Sequence, residues 1–367
     1  MTDNLIQKVF IEKGWEYDPY VQEILSKIPS AECCVIPDVR NLTGLVNNDA
    51  HDFEEGKKTL LLMENRGRFL KACPGTRNHT CCLYQVLHHA AGCPLDCTYC
   101  ILQCYLNNPF IVHYVNVKDM LGELEAAFTK TRGRITRLGT GEYTDSLALE
   151  HITGTTRILL PLVKKFPDVF LEIKSKTVNI EAVLGCEPAG RLIFAWSLNP
   201  QQLMDQEEHG AASLEERLSA ARKAQEAGHP VAFHFDPMLR FPGWEEAYRE
   251  TVYRLAEAVD LEKAFWVSLG AFRFPPSLKP IIEQRFPENR LLYEEFITGA
   301  DGKMRYFKPL RVEMFSHIVQ WLKEACPDVF IYLCMERSDV WDAVFGFHPA
   351  NNLELKKMLD ERCRVYV

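Results

Sequence analysis

Leu192-Ile193-Phe194-Ala195-Trp196-Ser197 is an unbroken apolar run of strand-forming residues, and Val231-Ala232-Phe233-His234-Phe235 is a second. Between them stands SLEERLSAARKAQEAG, from Ser213 to Gly228, which begins on a serine suited to cap a helix and stops on a glycine. Strand, helix and strand in this order predict a parallel crossover unit, because parallel strands need a helical connection. The same alternation spreads outward in both directions. Further strand-like runs lie at 83–87, 135–139, 169–174 and 265–269, with helical patterns at 117–131, 151–165, 177–184, 244–258 and 276–285. Six such units predict an α/β fold, a partial (β/α)6 TIM-like barrel; the two further units of a closed barrel are not found.

The rhythm breaks after residue 286. Residues 294–311 hold a turn signal, Ala300-Asp301-Gly302, and predict a hairpin. A helix at 312–325, a strand at 329–334 and a polar tail follow. Ahead of the barrel the reading is mixed: a helix at 18–28, strands at 33–36 and 58–63, and a polar stretch at 40–56. The expected organisation is an N-terminal extension (1–80), a barrel (81–286) and a small C-terminal cap (287–367).

Composition narrows the function. With 42 Lys and Arg against 50 Asp and Glu, the net charge is −8. Tight non-specific nucleic-acid binding usually rests on a basic surplus, so it is not expected, although a local basic groove is compatible with this balance. The start, Met1-Thr2-Asp3-Asn4-Leu5, has no signal-peptide character, and the longest uncharged stretch, 101–117, carries Gln103, Asn107, Asn108, Pro109 and Asn116. A cytoplasmic chain with no membrane partner is expected, and a monomer.

Thirteen cysteines are too sparse for a disulfide scaffold, and many cluster at 33–34, 81–82 and 93–104. The strongest chemical signal is Cys93-Pro94-Leu95-Asp96-Cys97-Thr98-Tyr99-Cys100, just after the first barrel strand. Three closely spaced thiolates on one loop can hold three irons of a cubane and leave the fourth open to a ligand. Structural zinc is the alternative, but it favours paired C-x2-C units and four ligands.

This spacing, with an aromatic residue before the last cysteine and a strand before the first, resembles the radical SAM superfamily. The resemblance implies a [4Fe–4S] cluster on Cys93, Cys97 and Cys100 that binds S-adenosylmethionine. It also implies reductive cleavage to a 5′-deoxyadenosyl radical and an electron donor such as flavodoxin or ferredoxin. From about residue 58 to 335 the chain resembles the spore photoproduct lyase family. The resemblance is carried by Gly92-Cys93-Pro94, Tyr99-Cys100-Ile101-Leu102-Gln103, Lys174, Ser197-Leu198-Asn199, Gly243-Trp244-Glu245-Glu246-Ala247-Tyr248 and Arg273-Phe274. It implies a carbon–carbon lyase acting on a thymine-dimer lesion in DNA, with Lys174 and Ser197 on the cofactor and Tyr99 near its adenine.

Two features depart from the family. No cysteine lies between Cys104 and Cys186, where members carry a hydrogen donor, and Ile101 stands where they have a relay tyrosine. In place of the first is Gly139-Thr140-Gly141-Glu142, similar to the Gly-Gly-Glu motif of other radical SAM enzymes, so Gly141 and Glu142 join the expected cofactor site. Asn199, after Ser197, and His234, ending the fifth strand, are further cofactor candidates. Cys104 is a candidate hydrogen donor beside Tyr99. Cys73, Cys81 and Cys82 could hold an auxiliary cluster, donate hydrogen or simply pack; packing is also the reading of His88 and His89. In the hairpin, Lys303 is followed by Arg305, Tyr306, Lys308 and Arg311, cations mixed with aromatics as phosphate contact and base stacking need. Those last four residues are the substrate candidates. Two other functions stay open: the same radical chemistry on a modified nucleoside, peptide or small metabolite, and a non-catalytic iron–sulfur or zinc protein that senses redox state or binds nucleic acid.

Overall fold

Seven parallel strands lie side by side in chain order: β1 (Gln85–Leu87), β2 (Thr136–Gly139), β3 (Val169–Ser175), β4 (Leu192–Ser197), β5 (Val231–Met238), β6 (Val267–Ala271) and β7 (Ile331–Leu333). Leu70–Ala72 closes the β1 edge in antiparallel register. The computed structural model describes residues 5–37, 50–76, 78–187 and 189–364. Because each crossover steps over by one strand, the sheet curls into a half-barrel, and all strand C-termini point to one rim.

The central strands are apolar on both faces because helices cover one side and packed side chains fill the other. Phe170, Phe194, Phe233, Phe265 and Trp266 are buried in one continuous core. The helix Leu214–Glu226 begins as its sequence predicts. Ser213 and Glu216 form a reciprocal capping box, a device that contributes about 1 kcal/mol. Val117–Lys130, Trp244–Ala258 and Leu278–Arg285 match their predicted positions, and the pattern at 151–165 is two helices hinged at Gly154 (φ 61°).

Three expectations change. Residues 177–184 hold an irregular stretch and a turn at 181–184 instead of a helix, since β-branched Thr177 and Val178 and the early Gly185 leave no room for a stable one. The strand at 329–334, expected in the cap, is β7 and pairs with β6 inside the barrel sheet. The polar tail forms two helices, Ser338–Phe345 and Asn352–Arg364. Leu355, Leu359 and Cys363 of the second are buried, four residues apart on one face, and the charges between them masked that stripe.

Residues ahead of the barrel build a second sheet in the order Glu32–Ile36, Lys8–Glu12, Thr59–Met63, Ile111–Tyr114 and Ala90–Ala91. It draws strands from both sides of residue 80. The uncharged stretch at 101–117 is thereby accounted for as a short helix, Leu102–Tyr105, followed by a strand of this sheet. Among the described residues no helix is long and apolar enough to cross a membrane. The predicted hairpin is present as Phe296–Thr298 and Met304–Tyr306, joined by Arg273–Phe274 as a third antiparallel strand. The expected polar segment lies outside the described residues from 40 to 49, as do Met1 to Asn4.

Candidate active site

A cavity of about 310 Å³ opens at the C-terminal rim of the barrel, where parallel α/β sheets gather their ligands. Cys93, Cys97 and Cys100 all line it, with Gly141 and Glu142 after β2, Lys174 on β3 and Ser197 ending β4. The residues singled out across four separate segments of sequence therefore meet around one cavity.

The cysteine loop is held from outside. Lys57 donates through Nζ to the carbonyls of Cys93 (3.1 Å) and Leu95 (2.5 Å). Arg285 clasps both carboxylate oxygens of Asp96 at 2.9 and 3.0 Å and stacks its guanidinium on Phe53 and Phe286, each ring 4.8 Å away. Asp96–Cys97 also pairs as a short antiparallel ribbon with Glu208–His209. Gly92 enters the loop at φ 86°, and an added Cβ would lie 2.7 Å from the carbonyl oxygen of Phe110, so both its dihedral and its neighbour demand glycine.

Burial pushes the Cys93 thiol up to about 12, helped by Asp145 and opposed by Lys57. Cys97 is raised as well, first by burial and against the pull of Lys176. Thiols so placed stay protonated until a metal takes the proton's place. Among the described residues no three His, Cys, Asp or Glu side chains converge on a single metal ion. Three thiols that line one cavity without converging on a single ion suit a multi-iron cubane better than a lone zinc.

Glu142 accepts a hydrogen bond from the Tyr84 hydroxyl and faces the Lys174 ammonium at 3.5 Å. Burial alone would lower the Lys174 ammonium; Glu142, Glu172 and Asp236 overcome it and hold the side chain charged. Gly141 runs so close to β3 that a Cβ there would sit 2.8 Å from the carbonyl oxygen of Lys174 and 2.9 Å from its Cβ. Gly141→Ala should therefore lower folding stability by about 1–3 kcal/mol, as overpacking against backbone does. Denaturant titration of the two proteins checks this, and equal midpoints and slopes would show that the rim yields freely.

Not every candidate side chain reaches the cavity. The Tyr99 ring lines it, but its hydroxyl is committed to Glu208, and the Lys176 ammonium lies over the ring at 5.6 Å. Asn199 is buried behind the wall, donating to Glu208 (3.0 Å) and accepting from the Tyr248 hydroxyl (2.8 Å). Arg217 completes the cage, reaching Glu208 at 2.6 Å and the carbonyl of Ser197 at 2.8 Å. Burial alone would raise the Glu208 carboxyl, yet Lys176 and Arg217 hold it well below the usual carboxylate range. Glu208, Lys176 and Arg217 escaped the sequence reading because nothing in their local pattern signals a shared partner.

His234 pairs with Glu172 at 2.7 Å in a smaller adjoining cavity of about 60 Å³, lined also by Tyr84, Cys73, Cys81, Cys82 and Cys334. This cavity shares Glu142, Lys174, Asp236 and Arg273 with the larger one. Cys104 is half-buried, its thiol donating to the carbonyl of Ile101 at 3.1 Å. His88 and His89 pack against Tyr143 and His113 and line neither of these two cavities.

The hairpin candidates need correction. Arg305 is buried and bonded to Asp301 (2.7 Å), and Arg311 is buried and bonded to Glu336 (3.0 Å). Tyr306 is fully buried; its ring stacks on Phe296 at 4.6 Å and its hydroxyl accepts from the Arg240 amide at 3.0 Å. Lys308 is at the surface, paired with Asp339 at 2.7 Å. Helix and hairpin packing consumes these groups, so the interleaved pattern was a fold signal and none of the four lines the cavity. Lys303 of the same hairpin does.

A sequence profile of the spore photoproduct lyase family matches residues 11–328. A spore photoproduct lyase of Bacillus subtilis (strain 168) is 27% identical over 299 residues, 79% of this chain and 84% of that protein. One from Geobacillus sp. (strain Y412MC61) is 30% identical over 210 residues, a match spanning 56% of this chain and 61% of that protein's length. Among solved structures, a spore photoproduct lyase variant superposes with a TM-score of 0.80 at 24% identity, covering 89% of this chain and 98% of the other. Another variant, solved with bound AdoMet and dinucleoside spore photoproduct, gives 0.78 at 23% identity, covering 90% of this chain and 99% of the other.

Proposed function

The chain belongs to the spore photoproduct lyase family of the radical SAM superfamily, and from that membership we propose that it is a carbon–carbon lyase acting on a thymine-dimer lesion in DNA. The observation that carries the reading is the shared cavity. The three motif thiols, the Gly141-Glu142 turn, Lys174 and Ser197 line one space large enough for a nucleoside-sized ligand.

In this reading Cys93, Cys97 and Cys100 hold a [4Fe–4S] cluster, and Gly141, Glu142, Lys174 and Ser197 surround S-adenosylmethionine. The cluster and S-adenosylmethionine, when bound, would supply the initiating one-electron reduction, which no side chain of the protein can provide. The protein's own residues orient and exclude. The Glu142 carboxylate, fixed by Tyr84 and Lys174, offers an acceptor to an ammonium. The Glu208 cage keeps the Tyr99 ring and the Ser197 carbonyl in place. The bare backbone at Gly141 lets the turn that carries Glu142 pack directly against Lys174 at the end of β3. Glu142→Gln should weaken S-adenosylmethionine about tenfold or more, the scale of one charge-assisted bond, while iron and sulfide content stay the same. Anaerobic titration calorimetry checks it, and unchanged affinity would return Glu142 to a purely structural part.

A second reading keeps the chemistry and changes the substrate, and the missing donor cysteine and relay tyrosine favour it. Anaerobic reconstitution with S-adenosylmethionine, dithionite and a synthetic spore-photoproduct dinucleotide separates the two. Repair to two thymines supports the lyase, whereas 5′-deoxyadenosine without repair points to another substrate.

A further inference from the structure

The strand Leu70–Ala72, at the β1 edge of the barrel sheet, ends the segment Arg66-Gly67-Arg68-Phe69-Leu70-Lys71, which carries three cations. Arg66 is paired with Glu12 at 2.6 Å. Arg68 is exposed and Lys71 is half-buried. The Lys71 ammonium forms no ion pair among the described residues. It lies 2.7 Å from Nδ1 of His88 and 5.2 Å from the centre of the Tyr143 ring. An aromatic face attracts a cation and an imidazole nitrogen accepts from it, but neither cancels its charge. Burial accordingly lowers the Lys71 ammonium.

That contact fixes the state of His88. An ammonium only donates, so Nδ1 is the accepting nitrogen and the one proton of the neutral ring sits on Nε2. Burial, with Lys71 and His89 beside it, pushes the imidazole down to about 4, so the ring is neutral near pH 7. Its other neighbours are the rings of Tyr114, at 5.2 Å, and Tyr143, at 4.5 Å. Lys71 and His88 thus present a charged donor and a neutral N–H side by side, with no anion among the described residues to receive them. Donors so grouped are unfavourable when left unpaired and suit an incoming phosphate oxygen.

The position of the pair narrows the anion. Tyr143, on which both side chains pack, also lines the large cavity, as does Pro74, three residues after Lys71. Lys71 and His88 themselves line neither cavity. They stand one ring outside it, beyond the reach of a ligand held wholly within. A chain that leaves the cavity across Tyr143 meets them, and a nucleic-acid strand is such a chain, with an anion at every link.

We propose that Lys71 and His88 form a phosphate site for the strand that runs out of the cavity, so that the protein grips a nucleotide flanking the one it acts on. The proposal rests on the reading that the cavity takes part of a DNA strand. In a chain of net charge −8 a local site of this kind replaces the general attraction to phosphate that a basic surface would give.

The reconstituted holoenzyme is titrated with four probes: a spore-photoproduct dinucleotide, a longer single strand carrying the same lesion, that strand undamaged, and S-adenosylmethionine. The wild type should bind the longer lesion strand about tenfold tighter than the dinucleotide, the scale of one charge-assisted contact, and added salt should erode the gain. Lys71→Met should remove most of the gain and flatten the salt dependence of the longer strand. Its affinities for the dinucleotide and S-adenosylmethionine should hold, and its thermal midpoint should hold or rise, because a charge without a counter-ion leaves. Lys71→Arg should keep most of the gain, and His88→Phe, which keeps a ring against Tyr143, should lose part of it. Equal wild-type affinity for the dinucleotide and the longer lesion strand overturns the proposal and spares the lyase reading. A gain that survives Lys71→Met with its salt dependence intact does the same. A loss confined to S-adenosylmethionine overturns the proposal by placing the ammonium on the cofactor. If neither lesion probe is bound in preference to undamaged strand, the lesion reading falls. The phosphate site then stands if the undamaged strand binds with the same dependence on Lys71, and falls if it does not.

Discussion

Cys97→Ala is expected to give a folded protein that holds no cluster after anaerobic reconstitution, with iron, acid-labile sulfide and visible absorbance all at background and no turnover of S-adenosylmethionine. Two facts separate this loss from unfolding. The Cys97 ribbon to Glu208 is made by backbone groups, which alanine keeps. Removing one buried sulfur costs about 1 kcal/mol, the scale of a small core truncation. Far-ultraviolet circular dichroism and the thermal midpoint of the unreconstituted protein should therefore stay near wild type. Retention of a full four-iron complement would sink the ligand assignment. A wild type that takes up one zinc and no sulfide would sink the cluster itself.

The barrel was legible because its signal is local and repeated. Each crossover has an apolar run such as 192–197, and the helix ahead of β5 carries its own capping box, so neighbouring segments agree without help from the tertiary structure. The cysteine motif was legible for the same reason, with all three thiols inside eight residues. The rest depends on contacts between distant residues. Ile331–Leu333 reads as a strand but says nothing of which sheet it joins. Ile111–Tyr114, in the middle of the barrel's sequence, belongs to the other sheet. The hairpin pattern misled because an arginine that bonds a buried aspartate and one that bonds a phosphate look alike in sequence. Arg305 and Lys303 are two residues apart, and only the fold shows that the first is bonded to Asp301 while the second lines the cavity. The site's supporting cage is the extreme case, since Tyr99, Lys176, Asn199, Glu208 and Arg217 come from five separate segments.

That cage carries the largest expected effect on stability. Glu208 accepts from Lys176, Arg217, Asn199 and Tyr99, and its side chain and that of Arg217 are wholly buried. Glu208→Ala removes the one anion and leaves Arg217 without a counter-charge, with Lys176 only slightly exposed beside it. Breaking a buried pair from one side costs about 3–5 kcal/mol, mostly from the stranded charge. Adding Arg217→Met to that variant should recover a good part of the loss, because the stranded cation leaves with it; a double-mutant cycle measures the recovery. The pH dependence has a definite sign. The Glu208 carboxyl is depressed in the folded protein, so its contribution is complete above the ordinary glutamate range and is withdrawn as pH falls below it. Wild type should therefore lose its advantage over Glu208→Ala in acid and keep it at neutral pH. The same variant should disturb the site, since Arg217 and Glu208 tie the Ser197 carbonyl to the Tyr99 hydroxyl. S-adenosylmethionine affinity should fall even at temperatures where the variant stays folded. If stability and affinity both match wild type at pH 7, water has replaced the carboxylate and the cage does not organise the site.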